Sequence, residues 1–224
     1  MQLLARQAEL AQKVAVLAAH GVAFNPPYGL PELYAQYAAG PRSSTYSPDY
    51  EYELLLDFMG GADNTADGPD GEPGARYCDQ LHSFDPECID GDGSYSELVH
   101  DIARLTGSDL ALVAASDTFV DGDAGDGSGS LTLRLLTQRW QAEYTFRQED
   151  GWVDSRVLAL VAALLPTASA RRLCYISMDN NAVLGYLPEA QIRALYDLGI
   201  RLTMVEPGLP RTGCVVRPAG KKAV

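Results

Sequence analysis

The chain has 224 residues, 46% hydrophobic and 21% charged, with four cysteines and a net charge of −13. That length and hydrophobic share support a core without disulfide or metal staples, and they exclude global disorder despite 21 glycines and 13 prolines. The charge excludes nucleic acid and anionic membrane as natural partners, because both repel an acidic surface.

In chain order, Leu3, Leu10, Val14 and Leu17 form one helical stripe, which predicts a helix over 3–19 that ends before Gly21. Arg6, Glu9 and Lys13 interrupt this stretch, and its longest apolar run is Val14 to Ala19. It does not read as a secretory signal, so the mature chain is expected to begin near Met1. The other long apolar run, Val157 to Leu165, is well short of the roughly 20 residues that span a bilayer. The expectation is a cytoplasmic protein with reduced thiols at Cys78, Cys88, Cys174 and Cys214. A Cys78–Cys88 bridge is the alternative for an exported chain.

A connector at Asn25-Pro26-Pro27 leads to a short helix over 31–39, closed by Gly40-Pro41. Tyr50 to Met59 reads as a strand, and Gly60 to Gly74 as an aperiodic, mobile loop. Ser94-Tyr95-Ser96-Glu97 has capping-box spacing, followed by a helix that buries Tyr95, Leu98, Val99, Ile102 and Leu105 and stops at Gly107. Leu110 to Val120 is predicted as a strand, Asp121 to Ser130 as a turn, and 131–137 and 141–148 as two further strands.

Asp154 reads as the N-cap of a helix whose apolar face is Val157, Leu158, Val161, Leu164 and Leu165, ended by Pro166. Strands over 173–177 and 182–187 flank a hairpin turn at Met178-Asp179-Asn180-Asn181. Pro188 is expected at the first position of the next helix, with Ile192, Leu195 and Tyr196 inward and Gly199 at its end. A final strand over 200–205 precedes a basic tail expected to fray. The order predicts an α+β fold: a mixed, mainly antiparallel sheet with helices on one face and a helical N-terminal segment. One domain is expected, divided into a helical segment 1–48, an acidic loop-rich region 49–130, a sheet-and-helix core 131–206 and a tail 207–224.

The charge is segregated. Between Asp49 and Asp126 lie 20 of the 30 acids but only Arg76 and Arg104 as bases, a net −18, whereas the rest of the chain carries +5. Such a field speeds encounter with a basic protein. A solvated, solubilising face is the plainer reading.

Motifs for chemistry are weak by comparison. Asp90, Asp92 and Ser94, or Asp121, Asp123 and Asp126, offer hard oxygens at close spacing, but Tyr95 and Asp101 stand where an EF-hand loop has glycine and glutamate. Cys78, His82, Cys88 and His100 supply zinc-ligand types or a Cys–His nucleophile pair, without a CxxC knuckle to fix the spacing. Glycines 125, 127 and 129 lack the lysine of a phosphate loop and have acidic neighbours. Glu149, Asp150 and Asp154 read as helix-start acids before they read as an acid/base set. No enzyme activity and no cofactor are expected.

From Ser94 to Glu206 the capped helix is followed by an aromatic strand ending in Arg147-Gln148-Glu149-Asp150-Gly151-Trp152-Val153-Asp154. An apolar helix, a hairpin and Tyr186-Leu187-Pro188-Glu189-Ala190-Gln191 come next. This arrangement resembles bacterial immunity proteins, the cytoplasmic antidotes to polymorphic or contact-delivered toxins. The resemblance implies a non-catalytic α/β protein that covers the active site of a cognate toxin domain, a basic one where its substrate is a nucleic acid or nucleotide. The expected contact residues are Asp70, Glu72, Asp85, Glu87, Asp90, Asp92, Asp121, Asp123 and Asp126, with Tyr77 and Phe84 as aromatic anchors. An acidic adaptor, and a hydrolase or transferase using carboxylates or the Cys/His pair, are the alternatives.

Overall fold

The computed structural model describes residues 2–39, 48–62, 75–87, 89, 91–121, 128–148, 152–178 and 181–220. Loop 60–74 beyond Ala62, most of the 121–130 turn, and Asp179 and Asn180 of the 178–181 turn lie outside these residues. The fold is α+β, as expected, but it has two four-stranded sheets in place of one. The chain forms two compact units, Met1–Phe84 with Cys174–Met204, and Asp85–Leu173 with Val205–Val224. The stretch 131–206, expected as one core, is divided between them. No helix among the described residues is long and apolar enough to cross a membrane.

The first unit contains α1 (Gln2–Ala19), α2 (Leu30–Ala39), α3 (Pro48–Gly60) and β1 (Leu81–Phe84). Most of β5 (Arg171–Ser177), with β6 (Ala182–Pro188), α6 (Glu189–Asp197) and the two-residue β7 (Thr203–Met204), returns to it. Its sheet runs β1-β6-β5-β7, with β1 antiparallel to β6 and β7 antiparallel to β5. Leu10 and Leu17 of α1, Leu55 and Met59 of α3, and Leu187 and Leu195 share one core with the inner face of this sheet.

The segment expected as a strand at 50–59 is helical. Tyr52, Leu55, Leu56 and Met59 sit at i, i+3, i+4 and i+7, a single helical face that packs into the core. Pro48 occupies the first position of that helix, where its missing N–H costs nothing. The helix ends against β1 so closely that a Cβ on Gly60 would lie 2.7 Å from the Ser83 nitrogen. Asp57 accepts hydrogen bonds there from Ser83 Oγ and from Asn181 Nδ2.

Other local expectations shift. Pro188 is the N-cap of α6 and not its first helical residue, and Tyr196, expected inward, is 61% exposed. The strand expected over 200–205 is only two residues long, Thr203–Met204, with the Val205 N–H adding a bond to the Leu173 carbonyl at 2.9 Å.

The second unit contains α4 (Ser94–Thr106), β2 (Leu112–Asp121), β3 (Gly129–Thr137), β4 (Trp140–Gln148), α5 (Ser155–Leu164) and β8 (Cys214–Pro218). Its sheet is the antiparallel meander β2-β3-β4 extended by β8. Alternation places Leu131, Leu133 and Leu135 of β3 and Ala142, Tyr144 and Phe146 of β4 on the buried face. Tyr95 of α4 meets Phe146 edge to face with ring centroids 5.3 Å apart. Asp154 caps α5 as expected, accepting from the Arg156 N–H at 2.8 Å.

The tail does not fray as a whole, because β8 pairs antiparallel with β4 from Tyr144↔Cys214 to Trp140↔Pro218. Gly213 makes the approach possible at φ +69, its carbonyl accepting the Thr145 N–H at 2.8 Å. A Cβ there would stand 2.1 Å from the Thr145 carbonyl oxygen.

Candidate partner-binding site

The capping box expected at Ser94–Glu97 does not form. Gly93, at φ +95, takes the N-cap position without a side-chain bond, which moves Ser94 one residue into the helix. Orphan donors of the first turn are instead satisfied from β2, where Asp117 accepts from Gly93 N–H at 3.0 Å and from Ser96 N–H at 2.8 Å. The Ser94 hydroxyl receives the Gly91 N–H at 3.2 Å, and the Ser96 hydroxyl donates to the Gly93 carbonyl at 2.9 Å.

The lead-in to α4 is held at further points. Asp85 accepts the Glu87 N–H at 2.9 Å, the Pro86 carbonyl accepts the Val153 N–H at 2.8 Å, and Asp92 accepts the Phe119 N–H of β2. Asp121 ends β2 two residues beyond Phe119, so the lead-in loop is pinned near that end of the strand. The segment is thereby preorganised, which lowers the ordering cost of binding through it.

These bonds sort the acids by role. Asp57, Asp79, Asp85, Asp92, Asp101, Asp109 and Asp117 all accept hydrogen bonds from their own chain. Glu87 and Glu97 are exposed, and their carboxylates make no bond to another described residue. Of the acids expected at the contact, Asp85 and Asp92 therefore also act as loop pins, while Glu87 is free. Glu97, in the first turn of α4, belongs with Glu87 but was not expected there. Asp70, Glu72, Asp90, Asp123 and Asp126, and the side chain of Asp121, lie outside the described residues.

Both expected aromatic anchors belong to the first unit and are half-buried. Tyr77 stacks on Phe58 at 4.7 Å and meets Tyr28 edge-on at 5.0 Å. Its N–H donates to the Gly61 carbonyl and its carbonyl accepts the Asn25 N–H. Phe84 stacks parallel on His82 at 5.9 Å.

Cys78, Cys174 and Cys214 are free thiols. Burial pushes the Cys78 thiol up and that of Cys174 up to about 12, so neither is a ready nucleophile. No group of three or more His, Cys, Asp or Glu among the described residues is placed to hold a metal ion. Cys88, Glu149 and Asp150 lie outside the described residues.

A buried polar relay joins α4, β4 and the start of α5. Tyr95 Oη donates to Gln148 Oε1 and accepts from the Asp154 N–H, both at 2.8 Å, while Gln148 Nε2 donates to the Trp152 carbonyl. Burial raises the Tyr95 phenol well above its ordinary range. Comparison with family models, with curated proteins and with solved structures returns no match.

Proposed function

We propose that this protein is an immunity-type inhibitor that binds a basic toxin domain and occludes it, without catalysing a reaction. The observation that carries the reading is the net −18 between Asp49 and Asp126 in a chain otherwise at +5. Charge on that scale steers a basic partner, and a few desolvated anchors set the affinity. The stapled approach to α4, presenting Glu87 and Glu97, supports the reading further, because acids on a fixed loop engage a partner without first being ordered.

One competing reading has its own observation. Seven aspartates of the acidic segment accept bonds from their own chain, which favours an adaptor whose acids pin loops and keep it soluble. Co-expression separates the two, using a basic C-terminal domain encoded beside this chain within a large modular protein. An inhibitor restores growth of cells making that domain and co-purifies with it at low salt. Absence of protection and of a complex at low salt would overturn the proposal in favour of the adaptor.

A further inference from the structure

The second unit carries an open groove of about 410 Å3 on the flank of α4, lined by His100, Arg104, Ser108 and Gln138 over a floor that includes Ala111 and Leu112. Its electrostatics run against the surrounding chain. No carboxylate among the described residues lines it, although 20 of the 30 acids lie between Asp49 and Asp126, and Arg104 is one of only two bases in that stretch. His100 and Arg104 stand at i and i+4, so both project from one side of the helix.

The groove is assembled through backbone strain. Ala111 is the one non-glycine residue at positive φ among the described residues, at +47. In that conformation its carbonyl accepts the Gln138 N–H at 3.0 Å, which fastens the β3–β4 turn beside the end of α4. Gln138 thereby reaches the same groove as His100 and Arg104. Strain of this kind persists where the surroundings over-determine it, and it concentrates at ligand sites.

We propose that this groove binds a small oxyanion, a carboxylate or phosphate group, independently of the toxin-binding reading. The guanidinium, imidazole, hydroxyl and carboxamide groups all offer donors. The side chains of His100, Ser108 and Gln138 make no hydrogen bond to another described residue. Asp101 engages only Nη1 of Arg104, which leaves Nε and Nη2 for a bidentate contact. The carbonyl end of α4 would oppose an anion, but Thr106 Oγ1 covers the Ile102 carbonyl and the Gly107 N–H covers that of Ala103.

The test is amide NMR of the full chain, titrated with inorganic phosphate and separately with acetate at ionic strength fixed by chloride. Saturable shifts centred on Gly107, Ser108, Leu112 and Gln138 are expected. The affinity falls about tenfold in Arg104→Gln and in His100→Gln, and holds in Arg76→Gln. Saturation by phosphate alone identifies a phosphate site, and saturation by acetate as well identifies a general oxyanion site. The proposal is overturned by shifts that fail to saturate by about 10 mM, or by equal weakening in Arg76→Gln.

Discussion

Replacing Tyr95 with phenylalanine tests whether the relay through Gln148 holds the second unit together. The ring stays in place at 0% exposure, so the change removes one oxygen from a site closed to water. Two partners lose their bonds: Gln148 Oε1, on a residue 1% exposed, and the part-buried N–H of Asp154, the N-cap of α5. The buried Gln148 oxygen left unsatisfied costs roughly 1–3 kcal/mol and the part-buried Asp154 N–H about 1, while the phenol oxygen no longer desolvated returns about 1, so the net loss is about 1–3 kcal/mol. With a urea m-value of about 2 kcal/mol/M, the midpoint falls by roughly 0.5–1.5 M. The chain has two tryptophans, Trp140 and Trp152, both in the second unit, so tryptophan fluorescence in a urea titration reads that unit alone. A double-mutant cycle with Gln148→Met should show a coupling of about 1 kcal/mol or more. A loss under about 0.5 kcal/mol, or additive effects, would refute the reasoning.

Gly213→Ala should destabilise the second unit by about 2 kcal/mol or more and expose the Thr145 amide to hydrogen exchange, since its Cβ would stand 2.1 Å from the Thr145 oxygen; unchanged protection of that amide would contradict this. Alkaline pH should weaken the first unit. The unfolded Cys174 thiol ionises around its ordinary value of 9.0, while the folded one stays neutral up to about 12. Its contribution is therefore full below pH 9 and is lost between 9 and 12, with a slope of up to about 1.4 kcal/mol per pH unit. Cys174→Ala should flatten that slope in pH-dependent urea unfolding, and an unaltered slope would rule the thiol out. Asp117→Ala should cost about 2 kcal/mol because it uncaps α4, whereas Glu97→Gln should stay within about 0.5. The reverse order in thermal unfolding would undo the division of acids into pins and free groups.

Sequence periodicity makes α4, β3 and β4 legible, because each buries one face of a simple repeat: Leu98, Val99 and Ile102 along the helix, and Leu131, Leu133 and Leu135 along the strand. It misleads over 50–59, where Tyr-Glu-Tyr-Glu alternates like a strand while Leu55, Leu56 and Met59 carry the helical face that packs. Pairings between distant segments leave little local trace. Cys214–Pro218 is a strand only because β4 and Gly213 receive it, and β1 finds its partner in β6 about 100 residues later. The second sheet escaped for the same reason. At the candidate site, the acid-rich stretch is visible in composition, but the roles within it are not. Asp92 and Glu87 look alike in the sequence, yet one holds the Phe119 N–H and the other faces solvent. Asp117 reaches its helix from 21 and 24 residues away, beyond any capping pattern.

Contact between the acidic segment and a basic toxin domain is read out by the affinity of the complex over a range of salt. Wild type is compared with a variant carrying Asp70→Asn, Glu72→Gln, Glu87→Gln, Asp90→Asn, Glu97→Gln, Asp123→Asn and Asp126→Asn, a set that spares the aspartates shown to pin the fold. Such contact requires an unchanged unfolding midpoint, weaker binding at low salt and a shallower salt dependence for the variant. Equal affinity and equal salt dependence in the two proteins would contradict it.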